Sequence, residues 1–374
     1  MKKKLLFIIY THSLGGGAEK ILTNIVNGLD PDKYEIDILE YAQYGVKEEP
    51  IKEHVRRLKP IVSMKKDGKI KRVWKNIQVY SYAKFLRKRE KKYDLEISFN
   101  YLIPTFLLSK DVPTIAWIHG DVSDLKEKTY YRMLQRNSLR HINQIVTISQ
   151  NSKQAILDVF PEVRGKLNII YNGFDVVEIQ ENSNRECDIS LKQPSITYIG
   201  RLENGKNPLV LLDVLKKLKE EGEVVNLYYV GQGEMQDSII ERVQEYGLQE
   251  QVQLLGYQQN PYPVMRQSTA ICMMSHSEGF PTVFAEGMAL GTPFISTPVG
   301  GVVEMANGGT CGHIVNNVDE CVHAIEKCVL NEKKNQEMQK ACKEHIHLFD
   351  LATQIQKIEK LFDDTMNGNV NTVR

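Results

Sequence analysis

The sequence predicts an α/β protein made of two Rossmann-like domains, whose parallel sheets face each other across a cleft. With 374 residues the chain is too long for one ordinary core and suits two domains of similar size. Short runs rich in β-branched residues alternate with helical patterns, which is typical of βαβ units and parallel sheets. The alternation occurs in two series separated by a polar segment, so each series predicts one domain.

The first series predicts a domain over residues 1–178. Its strands are short apolar runs, expected at Lys4–Tyr10, Tyr34–Leu39, Leu95–Phe99, Thr114–Ile118, Gln144–Ile148 and Leu167–Ile170. A helix over Ala18–Leu29 should follow the first strand, and Asp30-Pro31 should end it. Residues 176–194 are polar and unpatterned, which makes them the best candidate for the linker.

The second series predicts a domain over residues 190–350. Its strands are expected at Ser195–Gly200, Asn226–Gly231, Val252–Gly256, Ala270–Ser275 and Pro293–Thr297. Three of these runs end in glycine, and a glycine at the carboxyl end of a parallel strand lets the backbone approach a ligand closely. Ligands of open α/β sheets bind at this edge, so we expect the site there.

The end of the chain predicts one more helix, over about residues 352–368. Apolar residues repeat there at helical spacing, at Ile355, Ile358, Leu361 and Phe362. From the sequence it is open whether this helix packs back on the first domain. The polar tail over residues 367–374 is expected to be disordered.

The composition indicates a soluble, cytoplasmic protein. Hydrophobic residues make up 42% and charged residues 25% of the chain, and no apolar run reaches the roughly 18 residues that a membrane helix needs. The apolar stretch near the N-terminus is only about six residues long and lacks a cleavage site, which predicts a buried strand rather than a signal peptide. The six cysteines form no C-x-x-C pair, which predicts reduced thiols and no zinc site.

The charge is unevenly distributed. The formal net charge is +1, yet residues 47–92 hold 17 Lys and Arg against five Asp and Glu. Apolar residues repeat at helical spacing within this basic segment, at Ile70, Val73, Trp74 and Ile77. The pattern suits either a solvated helical face or docking on an anionic membrane surface, and both stay open. We expect no nucleic acid partner, because the segment lacks the context of a nucleic-acid-binding motif.

A glycine-rich loop, Gly15, Gly16 and Gly17, joins the first predicted strand to the first helix. Successive N–H groups at a helix N-terminus can bind an anion, although a tight turn explains the glycines as well. The loop is not a dinucleotide fingerprint, because Lys20 stands where that motif has its third glycine. It is not a P-loop either, since no Gly-Lys-Ser/Thr follows.

A second loop follows the first strand of the second series. Asn207 is a good N-cap and Pro208 a good first helical residue, so a helix is expected from there to Gly222. Arg201 and Lys206 therefore flank a loop between a strand end and a helix start. Isolated basic residues are usually solvated, but two cations beside a helix N-terminus favour a pyrophosphate site.

The stretch SEGFPTVFAE, residues 277–286, follows the predicted strand of the same sheet. A helix can begin at Pro281 or Thr282, which places Glu278 in the loop and Glu286 in the second helical turn. If all of it were helical, the glutamates would lie about 12 Å apart, so the carboxylates reach separate parts of an elongated ligand. Carboxylates accept hydrogen bonds from diols, and the helix N-terminus between them can face phosphate. A sugar nucleotide has this layout.

Two other interpretations of the glutamates compete with this one. Glycosidases also use two carboxylates, about 5 to 9.5 Å apart, but that chemistry leaves the phosphate-binding loops unexplained. A helix-capping or solvated role would be the default for either glutamate alone. Neither of these accounts for the loops and the pair together.

The motifs resemble those of the retaining glycosyltransferases of family 4, which have the two-domain GT-B fold. EGFPTVFAE resembles the E-x7-E signature of that family, and GRLENGKNP resembles its GR-x4-K segment. Further similar segments, in the order of the family, are GGGAEK, IYNGFD, VGQGE and STPVGGVVE. The resemblance covers nearly the whole chain and is to bacterial surface-polysaccharide glycosyltransferases. It agrees with the absence of a metal-binding Asp-x-Asp after any predicted strand.

The resemblance implies roles for the matching residues of the second domain. Arg201 and Lys206 would neutralise the donor pyrophosphate. Glu286 would accept from the ribose hydroxyls and Glu278 from the transferred sugar, and Tyr257 would lie near the base. Backbone groups would hold sugar and phosphate at Gly279, Phe280, Pro281, Thr282 and Val283.

In the first domain, the resemblance implies that the glycine loop forms the acceptor side and approaches the reaction centre. His119 matches a family position near the donor sugar and is a candidate catalytic residue together with Glu278, Arg201 and Lys206. A structural role is the alternative for a single histidine after a strand. The family often has His-Asp or His-Asn-Pro where this chain has His119, Gly120 and Asp121, so the roles of the last two stay open.

The predicted function is retaining transfer of a hexose from a nucleotide diphosphate sugar, with UDP favoured, to a hydroxyl of a glycan or lipid-linked saccharide. No metal or other cofactor is expected. The alternatives are a UDP-sugar 2-epimerase-like enzyme and a non-catalytic sugar-nucleotide-binding protein; an NAD enzyme is disfavoured by the missing fingerprint. The expected location is the cytoplasm, with peripheral association at the inner membrane face left open.

Overall fold

The computed structural model describes residues 1–14, 17–64, 93–100, 102–119, 122–278 and 280–368. The chain divides into two compact units. The first unit comprises Met1–Gly173 and Leu351–Arg374, and the second comprises Phe174–Asp350. The apolar stripe predicted around Trp74 lies outside the described residues, as do the last six residues of the tail. No helix of the described part is long and apolar enough to cross a membrane.

The first unit contains a seven-stranded parallel sheet and a small two-stranded one. The strands are β1 (Lys3–Ile9), β2 (Tyr34–Glu40), β3 (Ala42–Gln43), β4 (Val55–Arg57), β5 (Val62–Ser63), β6 (Leu95–Asn100), β7 (Thr114–Ile118), β8 (Gln144–Thr147) and β9 (Leu167–Ile169). The large sheet has the order β4-β2-β1-β6-β7-β8-β9, and β3 pairs with β5. Five consecutive residues of β1 are buried, as expected for a central parallel strand covered on both faces.

The second unit contains a six-stranded parallel sheet. Its strands are β10 (Ser195–Ile199), β11 (Asn226–Val230), β12 (Val252–Gly256), β13 (Ala270–Met273), β14 (Phe294–Ser296) and β15 (Gly312–Ile314). Their order is β12-β11-β10-β13-β14-β15, so the chain reverses its direction of travel between β10 and β13. Ligands of doubly wound folds bind outside the carboxyl ends of the strands at such a reversal.

Helices connect the strands of both sheets. In the described part of the first unit, the α-helices are Gly17–Gly28, Thr129–Arg140, Gln150–Val159 and the C-terminal Leu351–Met366. In the second unit they are Val176–Ser183, Val210–Glu220, Gln236–Glu245, Tyr262–Gln267, Thr282–Leu290, Val302–Ala306, Val318–Cys328 and Glu332–His345. The helix Leu351–Met366 contacts the helix Gly17–Gly28 and buries Ile355, Ile358, Leu361 and Phe362.

The strands predicted from the sequence are confirmed to within two residues at each end. Four short strands, β3, β4, β5 and β15, were not predicted, because two or three residues carry too little periodicity to be detected. The expected linker is also partly helical. The Asp175 side chain accepts a hydrogen bond from the Glu178 N–H and caps the helix Val176–Ser183, which buries Ile179 in the second unit.

Gly231 lies at the end of β11. The sequence predicts that a glycine here makes room for a ligand, but in the structure it makes room for a neighbouring loop. A Cβ on Gly231 would lie 1.9 Å from the Gly200 carbonyl oxygen. A Cβ on Gly233 would lie 2.3 Å from the carbonyl oxygen of Leu202. The Leu202 N–H donates to the Gln232 carbonyl at 3.0 Å, which joins the two loops backbone to backbone.

The substitution Gly231→Ala is expected to destabilise the second unit by about 3 kcal/mol, because its Cβ would collide with backbone that cannot swing aside. Urea unfolding followed by circular dichroism measures this change. Gly205→Ala is the matched control, since a Cβ there meets nothing within 4 Å. Equal stability of the two variants would contradict the backbone contact.

Candidate functional site

Three loops at the carboxyl edge of the second sheet are joined by hydrogen bonds. They follow β10, β13 and β14, which are neighbours in the sheet. The His276 N–H donates to the Gly205 carbonyl at 3.0 Å, and the Thr297 hydroxyl donates to the Ser275 carbonyl at 2.6 Å. The loop that carries Glu278 is therefore held from both sides.

An ion pair joins Lys206 to Glu278 across two of these loops. Both side chains are largely buried, with 22% and 11% of their surfaces exposed. The sequence predicted separate contacts for them, Lys206 with phosphate and Glu278 with sugar. Because the structure brings the two charges together, a phosphate that approaches Lys206 competes with the Glu278 carboxylate for the ammonium group.

Arg201 is the more exposed of the two predicted cations. Its side chain is 76% exposed and its guanidinium lies 3.0 Å from the Glu203 carboxylate. Its carbonyl accepts a hydrogen bond at 2.7 Å from the buried Tyr198 hydroxyl. Burial, with the charges of Glu278 and Glu203, raises the pKa of Tyr198, which keeps this hydroxyl a donor at neutral pH. The backbone of Arg201 is thus fixed, while the guanidinium can turn toward an anion.

The loop that carries Lys206 differs locally from the prediction. Asn204–Lys206 form a 3-10 turn, and Asn207 has the left-handed backbone angles φ 50° and ψ 51°. The helix begins at Val210 without a side-chain cap. The prediction of Asn207 as N-cap and Pro208 as the first helical residue is therefore wrong. Asparagine tolerates the left-handed region, and the chain uses it to turn after Lys206.

The predicted start of the glutamate helix is confirmed, at Thr282. Pro281 precedes it and supplies no side-chain cap, and Val283 is half-buried in its first turn. The first N–H groups of an α-helix have no partner within the helix, and the dipole favours an anion beside them. Glu286 lies in the second turn, half-buried, as the sequence predicted.

Glu286 lies close to Tyr262 of a neighbouring helix. Burial raises the pKa of Tyr262, and the Glu286 carboxylate adds to the shift. Two other residues of this edge were not singled out from the sequence. Glu203 pairs with Arg201, and Ser275 has a buried hydroxyl without a hydrogen-bond partner among the described residues. A buried polar group without a partner marks a place where a ligand or water can bind, and no sequence pattern signals it.

The Phe280 side chain belongs to the core. It stacks on Phe174 with ring centroids 6.3 Å apart and lies 6.0 Å from the Phe349 ring. Only its backbone could therefore serve a ligand. Gly279 lies outside the described residues. Tyr257 follows β12 at the carboxyl edge of the sheet and is 70% exposed. The donor contacts of these residues stay predictions.

In the first unit, His119 directly follows β7 and is 7% exposed. Its ring packs on Phe99 with centroids 4.7 Å apart, and its Nε2 atom has no hydrogen-bond partner among the described residues. Burial lowers the pKa of His119 to about 3, so the imidazole is neutral at pH 7. A neutral imidazole with one unpaired nitrogen can form a hydrogen bond with a sugar hydroxyl. Gly120 and Asp121 lie outside the described residues.

A buried carboxylate holds the loop after β1. Glu40, at the end of β2, accepts from three groups of this loop, the Thr11 hydroxyl at 3.1 Å, the His12 N–H at 2.7 Å and the Ser13 hydroxyl at 2.5 Å. Burial raises the pKa of Glu40, while these donors act in the opposite direction. Gly15 and Gly16 lie outside the described residues, and Gly17 begins the first helix and is exposed.

Two family models match consecutive parts of the chain. The model described as "Glycosyltransferase Family 4" matches residues 15–178. The model described as "Glycosyl transferases group 1" matches residues 179–345, which include both glutamates and the Lys206 loop. Together they cover every strand of both sheets except β1.

Curated relatives and solved structures agree with these matches. An uncharacterized glycosyltransferase of Methanocaldococcus jannaschii is 26% identical over 59% of each chain. The N-acetylgalactosamine-N,N'-diacetylbacillosaminyl-diphospho-undecaprenol 4-alpha-N-acetylgalactosaminyltransferase of Campylobacter jejuni is 24% identical over 77% of this chain and 80% of its own. Anabaena HepE, solved with UDP, superposes with a TM-score of 0.72 at 18% identity, covering 97% of this chain and 100% of HepE. The predicted two-domain fold is thereby confirmed.

Proposed function

Because the chain belongs to the GT-B glycosyltransferases of group 1 and family 4, we propose that it transfers a hexose from UDP-sugar to a hydroxyl of a glycan or lipid-linked saccharide, with retention of anomeric configuration. The proposal places the protein in surface-polysaccharide assembly, in the cytoplasm or on the inner face of the cell membrane. No metal or cofactor takes part in the proposed reaction.

The observation that carries the proposal is the Lys206–Glu278 pair beside the N-terminus of the helix Thr282–Leu290. A cation and a helix N-terminus favour a pyrophosphate, and the carboxylate beside them suits a sugar hydroxyl. Glu286, one helical turn further, suits the ribose hydroxyls of the same ligand. We therefore propose that these elements hold one sugar nucleotide, with a carboxylate at each end of it.

The choice of donor and acceptor rests on relatives. HepE was solved with UDP, and the name of the Campylobacter jejuni relative states a diphospho-undecaprenol acceptor. We therefore favour a UDP-sugar and an acceptor saccharide on a lipid diphosphate. Docking of the basic segment 47–92 on an anionic membrane is part of the same proposal, and residues 65–92 of it lie outside the described part.

In the proposed reaction the bond between the anomeric carbon and the UDP oxygen breaks, and the acceptor oxygen bonds to the anomeric carbon on the same face. The acceptor proton passes to the leaving phosphate oxygen. Lys206, Arg201 and the helix N-terminus stabilise the negative charge that develops there. Neutral His119 orients a sugar hydroxyl rather than supplying a proton, since its pKa lies far below 7.

UDP and UDP-sugars are expected to raise the melting temperature of the protein more than GDP or ADP, and Glu286→Gln is expected to weaken UDP binding about 10- to 100-fold. In this variant the ribose would lose its charge-assisted hydrogen bond with the Glu286 carboxylate. Calorimetry measures the affinity, and Glu241→Gln, an exposed glutamate of the helix Gln236–Glu245, is the control. Stabilisation by none of these nucleotides would exclude the donor site.

Two rival functions give different products. A UDP-sugar 2-epimerase would convert the sugar nucleotide without an acceptor, so a new UDP-sugar in the absence of acceptor would favour it. A non-catalytic binding protein would bind UDP but release no sugar under any condition. Release of UDP that accelerates when a glycan acceptor is added is the outcome expected of the proposed transferase.

A further inference from the structure

The two oxygens of the Glu40 carboxylate have different surroundings. Oε1 accepts all three hydrogen bonds from the loop after β1, whereas Oε2 accepts none from a described residue. Glu40 is 7% exposed, and no described lysine or arginine forms an ion pair with it. A carboxylate that is largely buried without a cation needs hydrogen-bond donors around both oxygens. Oε2 therefore marks a place where a molecule that carries donors can bind.

Glu40 and His119 lie on the same face and at the same edge of the first sheet. A row of residues in register crosses the four strands from β2 to β7, and it consists of Glu40, Ile9, Phe99 and Trp117. Residues in register on neighbouring strands project to the same face, and so does His119, two residues after Trp117. The contact between the His119 and Phe99 rings agrees with this placement.

The strands between Glu40 and His119 include a reversal of the chain. The strands after β1 extend the sheet in one direction as far as β4, and those from β6 onward extend it in the other. Ligands of doubly wound folds bind outside the carboxyl ends of the strands at such a reversal. Asn100 ends β6 at this place with φ 79°, a left-handed angle that is uncommon outside glycine and clusters at binding sites. The unpaired atoms of Glu40 and His119 thus flank the expected place of a ligand.

The distance between the two residues indicates the size of that ligand. Glu40 ends β2 and His119 follows β7, which are three strand spacings apart in the sheet, so their backbones lie at least about 14 Å apart. A single sugar ring is too short to contact both side chains, whereas a chain of sugars can do so. Every sugar residue carries hydroxyl groups, which are suitable donors for Oε2.

We propose that Glu40 is a specificity-determining residue for the acceptor, and that its Oε2 atom accepts a hydrogen bond from a sugar residue other than the one that reacts. The reacting hydroxyl lies toward His119, and for this point the inference rests on the proposed function. The acceptor is then a saccharide of at least two residues. The three hydrogen bonds at Oε1 hold the carboxylate in place for this contact.

The test compares acceptors of different length that end in the same sugar. UDP release from the UDP-sugar is measured with benzyl glycosides of glucose, galactose, N-acetylglucosamine and N-acetylgalactosamine, and with benzyl di- and trisaccharides that end in these sugars. For the unmodified protein, kcat/KM is expected to be at least about tenfold higher for the best oligosaccharide than for the matching monosaccharide, since only the longer acceptor reaches Glu40.

Glu40→Gln is expected to remove this preference for the longer acceptor. The amide oxygen can still accept from the loop after β1, while an NH₂ group takes the place of Oε2. We expect kcat/KM for the oligosaccharide to fall about 10- to 100-fold, mainly through KM, because the charge-assisted hydrogen bond is lost. The value for the monosaccharide and the affinity for UDP, measured by calorimetry, should stay the same.

Two further variants separate recognition of the acceptor from a structural role of the loop. Ser13→Ala removes one of the hydrogen bonds at Oε1 and leaves Oε2 intact, so it should change kcat/KM for both acceptor lengths by the same factor. Glu35→Gln changes an exposed glutamate of the same strand and should behave like the unmodified protein. Circular dichroism confirms that each variant is folded.

Two results would overturn the inference and leave the proposed transfer in place. One is an unmodified protein that uses both acceptor lengths equally well. The other is an equal loss with both lengths in Glu40→Gln, which would assign Glu40 to holding the loop alone. If no acceptor accelerates UDP release, the proposed function fails and this inference fails with it.

Discussion

Replacement of Lys206 by methionine is expected to lower kcat/KM for sugar transfer by about 10²- to 10³-fold, the usual effect of removing one group that stabilises a developing charge. Methionine keeps most of the apolar stem and removes the ammonium group. The loss should also weaken UDP binding, since in the proposed donor complex the same ammonium group faces the pyrophosphate in the ground state. Transfer is measured with the UDP-sugar that supports the fastest UDP release, and binding by calorimetry.

Because Glu278 is paired with Lys206, its substitution is expected to affect UDP binding differently from the substitution of Lys206. Glu278→Gln releases Lys206 from its carboxylate, so UDP should bind as tightly as before or up to about tenfold more tightly, because no competitor for the ammonium group remains. Transfer should still fall, since glutamine is a weaker acceptor for the sugar hydroxyl. One variant therefore loses UDP affinity and the other keeps it, while both lose turnover.

Lys217→Met is the matched control for this pair of variants. Lys217 also forms an ion pair with a carboxylate of the second unit, at 2.6 Å from Asp319, but both side chains are more exposed, at 39% and 77%. An exposed pair contributes little to stability, and this one carries no predicted ligand contact. Equal loss of UDP affinity in Lys206→Met and Glu278→Gln would falsify the competition between carboxylate and phosphate.

The fold was predictable because its strands are buried on both faces. β1 contains a continuous apolar run over Leu5–Ile9, and β10 is a short run rich in β-branched and aromatic residues, Ser-Ile-Thr-Tyr-Ile. Polar segments bound both runs, which is a signal even in one sequence. The short strands β3 and β15 and the helix Val176–Ser183 escaped, because tertiary contacts rather than local pattern create them. The packing of Ile179 in the second unit and the cap supplied by Asp175 stabilise this helix in a largely polar stretch.

The places of the candidate residues in loops and helices were largely predictable, but their contacts were not. The helix start expected at Pro281 or Thr282 placed Glu278 in the loop and Glu286 in the helix, as the structure has them. Glu278 pairs with Lys206 across two loops that are far apart in the chain and that the hydrogen bond from the His276 N–H to the Gly205 carbonyl also joins. No spacing rule in the sequence encodes such a contact. The left-handed Asn207 shows the same limit, since propensity favoured a cap where the turn needed another conformation.

Two buried histidines are expected to make the first unit sensitive to acid. His119 is 7% exposed and His12 is 1% exposed. Burial lowers the pKa of His119 to about 3. Burial and then the Arg57 guanidinium lower the pKa of His12 to about 4. The His12 Nε2 atom lies 3.0 Å from the Thr23 hydroxyl oxygen.

The first unit is expected to lose stability steadily as the pH falls from 6.5 to about 4. In this window each histidine takes up a proton only when the chain unfolds, because its unfolded pKa is 6.5 and its folded pKa is lower. The unfolded state binds more protons, so stability rises with pH. The two residues together should contribute a loss on the order of 5 kcal/mol between pH 7.5 and pH 4.5.

Tryptophan fluorescence isolates this effect, because both tryptophans, Trp74 and Trp117, belong to residues 1–173. Urea unfolding at pH 7.5 and pH 4.5 gives the free energy of unfolding at each pH, for the unmodified protein and for the double variant His12→Gln, His119→Gln. The loss of each protein is the difference between its own two values. The double variant should retain only the part that the carboxylates cause. His323→Gln, an exposed histidine of the second unit, controls for the loss of a histidine. If the double variant showed the same pH dependence as the unmodified protein, neither ring would change its protonation when this unit unfolds. The pKa of His119 in the folded protein would then lie near 6.5, and the ring could act as an acid near neutral pH. That result would contradict the orienting role proposed for His119.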